Sequence, residues 1–220
     1  LVSPVVQETK QRNTKGKSRI SMNMRKVRLG SSFILALLIA ITAERAIALP
    51  GQTVDEVAAW IQANSTLLPA SGETLMVRKS DTPARRFSFE ALMVSPGRAA
   101  AGEGRGTIRT ERVTLFDMTN GVTPDRLATM LRNIYGDQIY QDFNQANLVY
   151  RYPTSEQAAA AENRDAPLLN SLQGEIRQGN QFGYWIETVQ TRDGQAYNGQ
   201  INVFLLEDIN KLEAELRNRG

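Results

Sequence analysis

The chain has 220 residues, with 26 Lys and Arg, 23 Asp and Glu, no His and no Cys. Without Cys there are no disulfides, thiol nucleophiles or thiolate metal sites. Without His the commonest general base and the commonest transition-metal ligand are missing. The net charge of +3 is unevenly held: residues 1–48 carry nine basic and two acidic residues, leaving 17 basic against 21 acidic, a net −4, for residues 49–220. A mildly acidic surface does not draw in nucleic acid or anionic lipid by long-range attraction.

Residues 1–21 are polar and basic with no hydrophobic period, and read as an extension upstream of a start at Met22 or Met24. Residues 22–48 have the three parts of a secretory signal peptide in order. Arg25, Lys26 and Arg28 form the positive end, residues 31–43 the apolar stretch, and Ala46-Ile47-Ala48 a small-x-small cleavage site. The rival reading is a membrane anchor. The apolar stretch is 13 residues long and closed by Glu44 and Arg45, whereas a spanning helix needs about 20. The expectation is therefore cleavage after Ala48 and no stable membrane insertion afterwards. The destination expected is a periplasm, a thylakoid lumen if the source is cyanobacterial, or the outside of the cell.

Residues 49–220 are expected to form one α+β domain. Thr53 and Glu56 make a capping box that opens a helix over 53–68. A short strand is expected over 73–78. Residues 84–94 alternate, with Phe87, Phe89, Ala91 and Met93 on one side and Arg86, Ser88 and Glu90 on the other. Residues 95–106 are rich in Gly and Ala and predict a mobile connector with nothing to anchor it to a core. A strand over 107–118, antiparallel to the preceding one, follows. Thr123 and Pro124 open a second helix, buried through Leu127, Leu131 and Ile134. Residues 142–152 contain a strand centred on Leu148-Val149-Tyr150. Thr154 and Gln157 form another capping box, opening an Ala-rich helix to Glu162, and residues 163–170 form a loop. Strands over 172–177, 181–191 and 197–206 make a closing meander. Asp193-Gly194 is its tight turn, and Asn198-Gly199 is expected to be a bulge. A helix over 207–219 ends the chain, with Ile209, Leu212 and Leu216 inward and Glu207–Lys211, Glu213–Arg217 and Glu215–Arg219 as solvated pairs.

The fold class is thus α+β, with antiparallel meanders packed against about four helices. The order also reads as one helix–three strands–helix unit written twice, over 53–135 and 154–219.

Few motifs carry chemistry. Residues 102–106 are Gly-rich but precede no helix, so they fail as a dinucleotide loop. Glu90 and Glu111 are expected on a strand face with Arg86 or Arg109, as solvated cross-strand pairs. Trp60, Phe182, Tyr184, Trp185 and Tyr197 read as core, with a ligand pocket or partner surface as the alternative. No catalytic, cofactor-binding or metal-ligating residues are assigned, and no cofactor is expected. The partner-contact candidates are Arg85, Arg86, Arg98 and Arg105, because Arg suits interfaces better than Lys. The reading that follows is a non-enzymatic module that binds an extracytoplasmic protein partner. A carboxylate-dependent hydrolase acting on carbohydrate and a small-ligand carrier are the alternatives. Two converging carboxylates would favour the hydrolase. A closed apolar pocket would favour the carrier.

Overall fold

The computed structural model describes residues 49–97, 106–163 and 171–219. Residues 1–48, with the expected signal peptide and its cleavage-site residues Ala46 and Ala48, residues 98–105, with Arg98 and Arg105, and residues 164–170 lie outside the described residues.

One antiparallel seven-stranded sheet carries the fold. In chain order the elements are α1 (Val54–Ala63), β1 (Met76–Thr82), β2 (Arg85–Leu92), β3 (Thr110–Asp117), α2 (Pro124–Tyr135), α3 (Asp137–Gln145), β4 (Asn147–Tyr152), α4 (Ser155–Asn163), β5 (Leu172–Gln178), β6 (Gly183–Gln190), β7 (Ala196–Phe204), a 3-10 turn (Leu206–Asp208) and α5 (Ile209–Arg217). The strands lie in the order β1-β2-β3-β7-β6-β5-β4, so the class is α+β. The two meanders meet where β3 pairs with β7, Val113 opposite Ile201. β4 adds a strand outside β5 that has no counterpart beyond β1.

Alternation along the strands divides the sheet into two faces. Val77, Phe89, Val113, Leu115, Ile201, Ile186 and Tyr184 point to the front. There they meet Val57 and Ile61 of α1, Leu127, Leu131 and Ile134 of α2, and Ile139 and Phe143 of α3. On the back, Tyr150, Tyr152, Ile176, Trp185 and Phe204 form a second core with Ile209, Leu212 and Leu216 of α5. α4 is tied alongside by Gln157, which accepts from the Tyr150 hydroxyl and donates to the Leu216 carbonyl. The back of β1, β2 and β3 has no helix over it among the described residues. Arg78, Ser80 and Arg86 are exposed there, and Ser88, Glu90, Arg112, Thr114 and Phe116 are half-buried.

Both capping boxes form, at Thr53/Glu56 and Thr154/Gln157. Thr123 caps α2 with Pro124 in its first turn. Other expectations need correction. The first helix stops at Ala63, because the Asn64 side chain accepts from the Thr66 and Leu67 backbone N–H groups and turns the chain. Leu68, the last residue of the helix expected over 53–68, lies outside it and is exposed with φ of 41°. The first strand starts at Met76 rather than at Glu73. The Glu73 carboxylate instead accepts from the Ala70 and Arg78 N–H groups and holds the turn before it. α3 was not expected at all. Gly199 is no bulge: it pairs regularly with Thr188 and Leu115, and the register shift falls at Val189/Gln190. The residue is small because an added Cβ would lie 2.9 Å from Val122 Cγ1. The ends of the 95–106 connector are anchored. The buried Ser95 hydroxyl donates to Asp208 Oδ1 at 2.9 Å, and Gly106 O accepts from Val54 N at 2.9 Å.

Candidate functional site

β1 and β2 form one edge of the sheet, and cations collect there on both faces. Arg85 and Arg86 are adjacent in β2, so alternation sends them to opposite sides. Arg85 points to the front, where Nε lies 3.6 Å from the buried Asp117 carboxylate. Arg86 points to the uncovered back, with its guanidinium 4.4 Å from the centre of the Phe116 ring, a cation–π contact. The two adjacent arginines expected as contact residues thus stand on opposite faces of the sheet.

A groove opens on each side of this edge. The back groove, about 460 Å³, is lined by Arg78, Lys79, Ser80, Arg86, Ser88 and Phe116 among others, and no carboxylate among the described residues lines it. The front groove, about 410 Å³, is lined by Lys79, Arg85, Arg86 and Arg126, with Asp81 as its one carboxylate. Lys79 and Arg86 border both. Arg78 and Lys79 were not among the contact candidates. Their signal was the adjacent Arg78-Lys79 pair in a short strand joined by a tight turn to Arg85 and Arg86, which pairs the four along one hairpin.

The front cations are held by Asp117. Its carboxylate accepts from the N–H groups of Thr119 and Asn120, at 3.0 and 2.9 Å. It also accepts from Arg126 Nη2 at 2.8 Å. The Asn120 backbone bond, with Arg126 and Thr119 behind it, holds this carboxyl well below the ordinary range. The cluster locks the end of the β2–β3 hairpin to the start of α2.

Glu90 and Glu111 do not share a face. Glu90 stands on the back, 3.5 Å from Arg112 across the strands. Glu111 points into the front core and is fully buried. Tyr135 Oη donates to its Oε2 at 2.6 Å, and Oε1 has no partner among the described residues. Burial pushes its carboxyl up to about 7, opposed by the tyrosine hydrogen bond. Phe89, Tyr135 and Trp60 pack against one another in the same core. Arg109 is not its neighbour: it donates to Asp208 and Glu207 at the start of the C-terminal helical segment. Glu207 and Arg219, expected as solvated helix charges, are thereby tied to other elements, Arg219 to Glu187 at 2.8 Å. Of the three expected pairs, Glu213–Arg217 forms within the helix as expected.

The aromatics are mostly core. Phe182, Tyr184 and Trp185 are buried, and Trp60 and Tyr197 are half-buried. On the back, Trp185 Nε1 donates to Tyr152 Oη at 2.8 Å. Tyr152 in turn donates to Glu187 Oε2 at 2.6 Å. Burial and the nearby Glu187 raise the Tyr152 hydroxyl far above its usual range.

A larger cavity of about 680 Å³ opens on the front, between the β3–α2 loop, the β6–β7 turn and strands β4 to β6. Its one carboxylate, Glu175, is bonded to Arg151 at 2.7 Å and to Arg177 at 2.6 Å. It holds no converging carboxylate pair of the kind a glycosidase needs. Among the described residues no group of three or more acidic side chains is placed to hold a metal ion. No helix of the described residues is long and apolar enough to cross a membrane. No protein-family model, curated protein or solved structure matches the chain.

Proposed function

We propose that the protein is an exported, non-enzymatic protein-binding module whose contact surface is the arginine-rich corner formed by β1 and β2, and that its partner presents an acidic segment. One observation carries this reading: the groove on the back of the sheet is lined by Arg78, Lys79 and Arg86, with no carboxylate among its described lining residues. Residues 49–220 are net acidic, so a groove lined by Arg78, Lys79 and Arg86 with no carboxylate among its described lining residues is a local inversion of the field. Such an inversion steers and orients an acidic partner. Arg86 over Phe116 adds a planar, weakly hydrated cation on an aromatic surface, the pairing that interfaces favour. Export is supported by the order of basic end, apolar stretch and Ala46-Ile47-Ala48 in the sequence.

The test is co-purification of the wild-type chain and of R78E/R86E from the exported fraction of the source. One acidic protein retained by wild type and lost from the charge-reversed variant, with melting unchanged, is the expected result. Equal retention by both chains would overturn the assignment of the surface.

A further inference from the structure

We propose that the front cavity between the β3–α2 loop, the β6–β7 turn and strands β4 to β6 binds a neutral, polyhydroxylated ligand of the size of a mono- or disaccharide. The observations behind it are independent of the cationic corner. The cavity measures about 680 Å³, within the roughly 300–1,000 Å³ usual for small-molecule sites.

Its floor is Thr188 on β6, which is 4% exposed. The Thr188 hydroxyl has no hydrogen-bond partner among the described residues. It is nevertheless not a sealed orphan, since Glu111 Oε1 alone is buried without a partner there. The hydroxyl therefore faces the open space of the cavity. A donor and acceptor held in a buried floor and left for an incoming group is a feature of a binding site. Gln190, two residues along the same strand face, and Thr119 at the rim add side-chain donors and acceptors that are likewise unused among the described residues.

Charge decides the ligand class. Arg151 and Glu175 are the charged residues in the lining, and they are bonded to each other. An ammonium group would lose its hydration and meet no free carboxylate, and a phosphate or carboxylate would meet only a guanidinium already bonded to Glu175. Hydroxyl groups would meet amides and hydroxyls. Tyr197 supplies an aromatic face at the rim. Its phenol donates to Gln195 Oε1 at 2.6 Å, which leaves the Gln195 amide hydrogens to donate. Both Glu175 oxygens are engaged by arginines, so the site holds its ligand without the acid and base that glycoside cleavage requires.

The test is a titration of the isotopically labelled full chain with maltose and N,N′-diacetylchitobiose, followed by amide NMR, with glucuronate and glucosamine as charged probes. At least one neutral disaccharide is expected to shift amides in 119–123 and 194–197. Thr188→Val and Gln190→Ala should each weaken it by about fivefold, the worth of one hydrogen bond, with melting unchanged. Three results would overturn the proposal: no shift at those amides with either neutral probe, tighter binding of a charged sugar than of a neutral one, or affinity unaltered in both variants.

Discussion

Tyr135 Oη donates a 2.6 Å hydrogen bond to Glu111 Oε2, between α2 and the central strand β3, and among the described residues it is the sole partner of this fully buried carboxyl. Among those residues no cation pairs with it. Burial pushes its carboxyl up to about 7, so Glu111 keeps its proton through the mildly acidic range in which an exposed glutamate has lost it.

A pH dependence follows with a definite sign. Below the ordinary carboxylate range the group is protonated in both folded and unfolded chains. Between that range and about 7 the folded state holds a proton that the unfolded chain has lost, so stability falls as pH rises, and it levels off above. A shift of this size corresponds to about 3 kcal/mol across the window. Glu111→Gln keeps the shape and cannot ionise. The variant should lose this slope in melting scans between pH 5 and 8, and should exceed wild type in stability at the alkaline end. A variant with an unchanged slope would show that Glu111 is not the titrating group.

Asp117 gives the opposite sign. Its carboxyl is depressed by backbone N–H groups and Arg126, so its contribution is present above the ordinary aspartate range and lost as pH falls through the depressed value. Asp117→Asn should cost about 2 kcal/mol at neutral pH, the scale of hydrogen bonds to a charged group. It should also flatten the acid limb of the stability profile. Urea denaturation at several pH values checks both.

Gly174 is fixed by close approach. An added Cβ would overlap the Tyr152 ring and lie 2.7 Å from Ile186 O. Gly174→Ala should therefore displace Tyr152, break its bonds with Glu187 and Trp185, and destabilise the fold by about 2 kcal/mol or more. Gly194→Ala, where an added Cβ meets nothing within 4 Å, should cost less, through its positive φ alone. Thermal melting of the two variants distinguishes these effects.

Much of the fold was legible because local chemistry and burial agreed. Alternating Phe87, Phe89 and Ala91, the two capping boxes, and the Asp193-Gly194 turn each predicted an element that formed. α3 was missed because it lacks those marks. It has no side-chain cap, its Gly136 N-cap has φ of 85°, and Ile139 and Phe143 are its only buried apolar residues. Glu111 was misread although a signal existed. It lies in step with Val113 and Leu115, the core-facing side of β3, and strand parity outweighs the polarity of one side chain. Nothing local announces that β4 joins the outer side of β5, since strand order is a long-range property.

The proposed export gives a prediction of its own. Protein isolated from its source should begin within a few residues of Leu49, as read by intact mass or N-terminal analysis. A dominant form that retains residues 31–48 would contradict cleavage at Ala46-Ile47-Ala48.

The most direct test of the central claim is the binding of a labelled, extended acidic peptide to the full chain, measured by fluorescence anisotropy over a range of salt. The chain should bind it more tightly than a neutral peptide of equal length. Affinity should fall as salt rises, and R78E/R86E should lose about tenfold or more with folding intact. Equal affinity for acidic and neutral peptides, or full binding by R78E/R86E, would contradict a contact surface built from Arg78, Lys79 and Arg86.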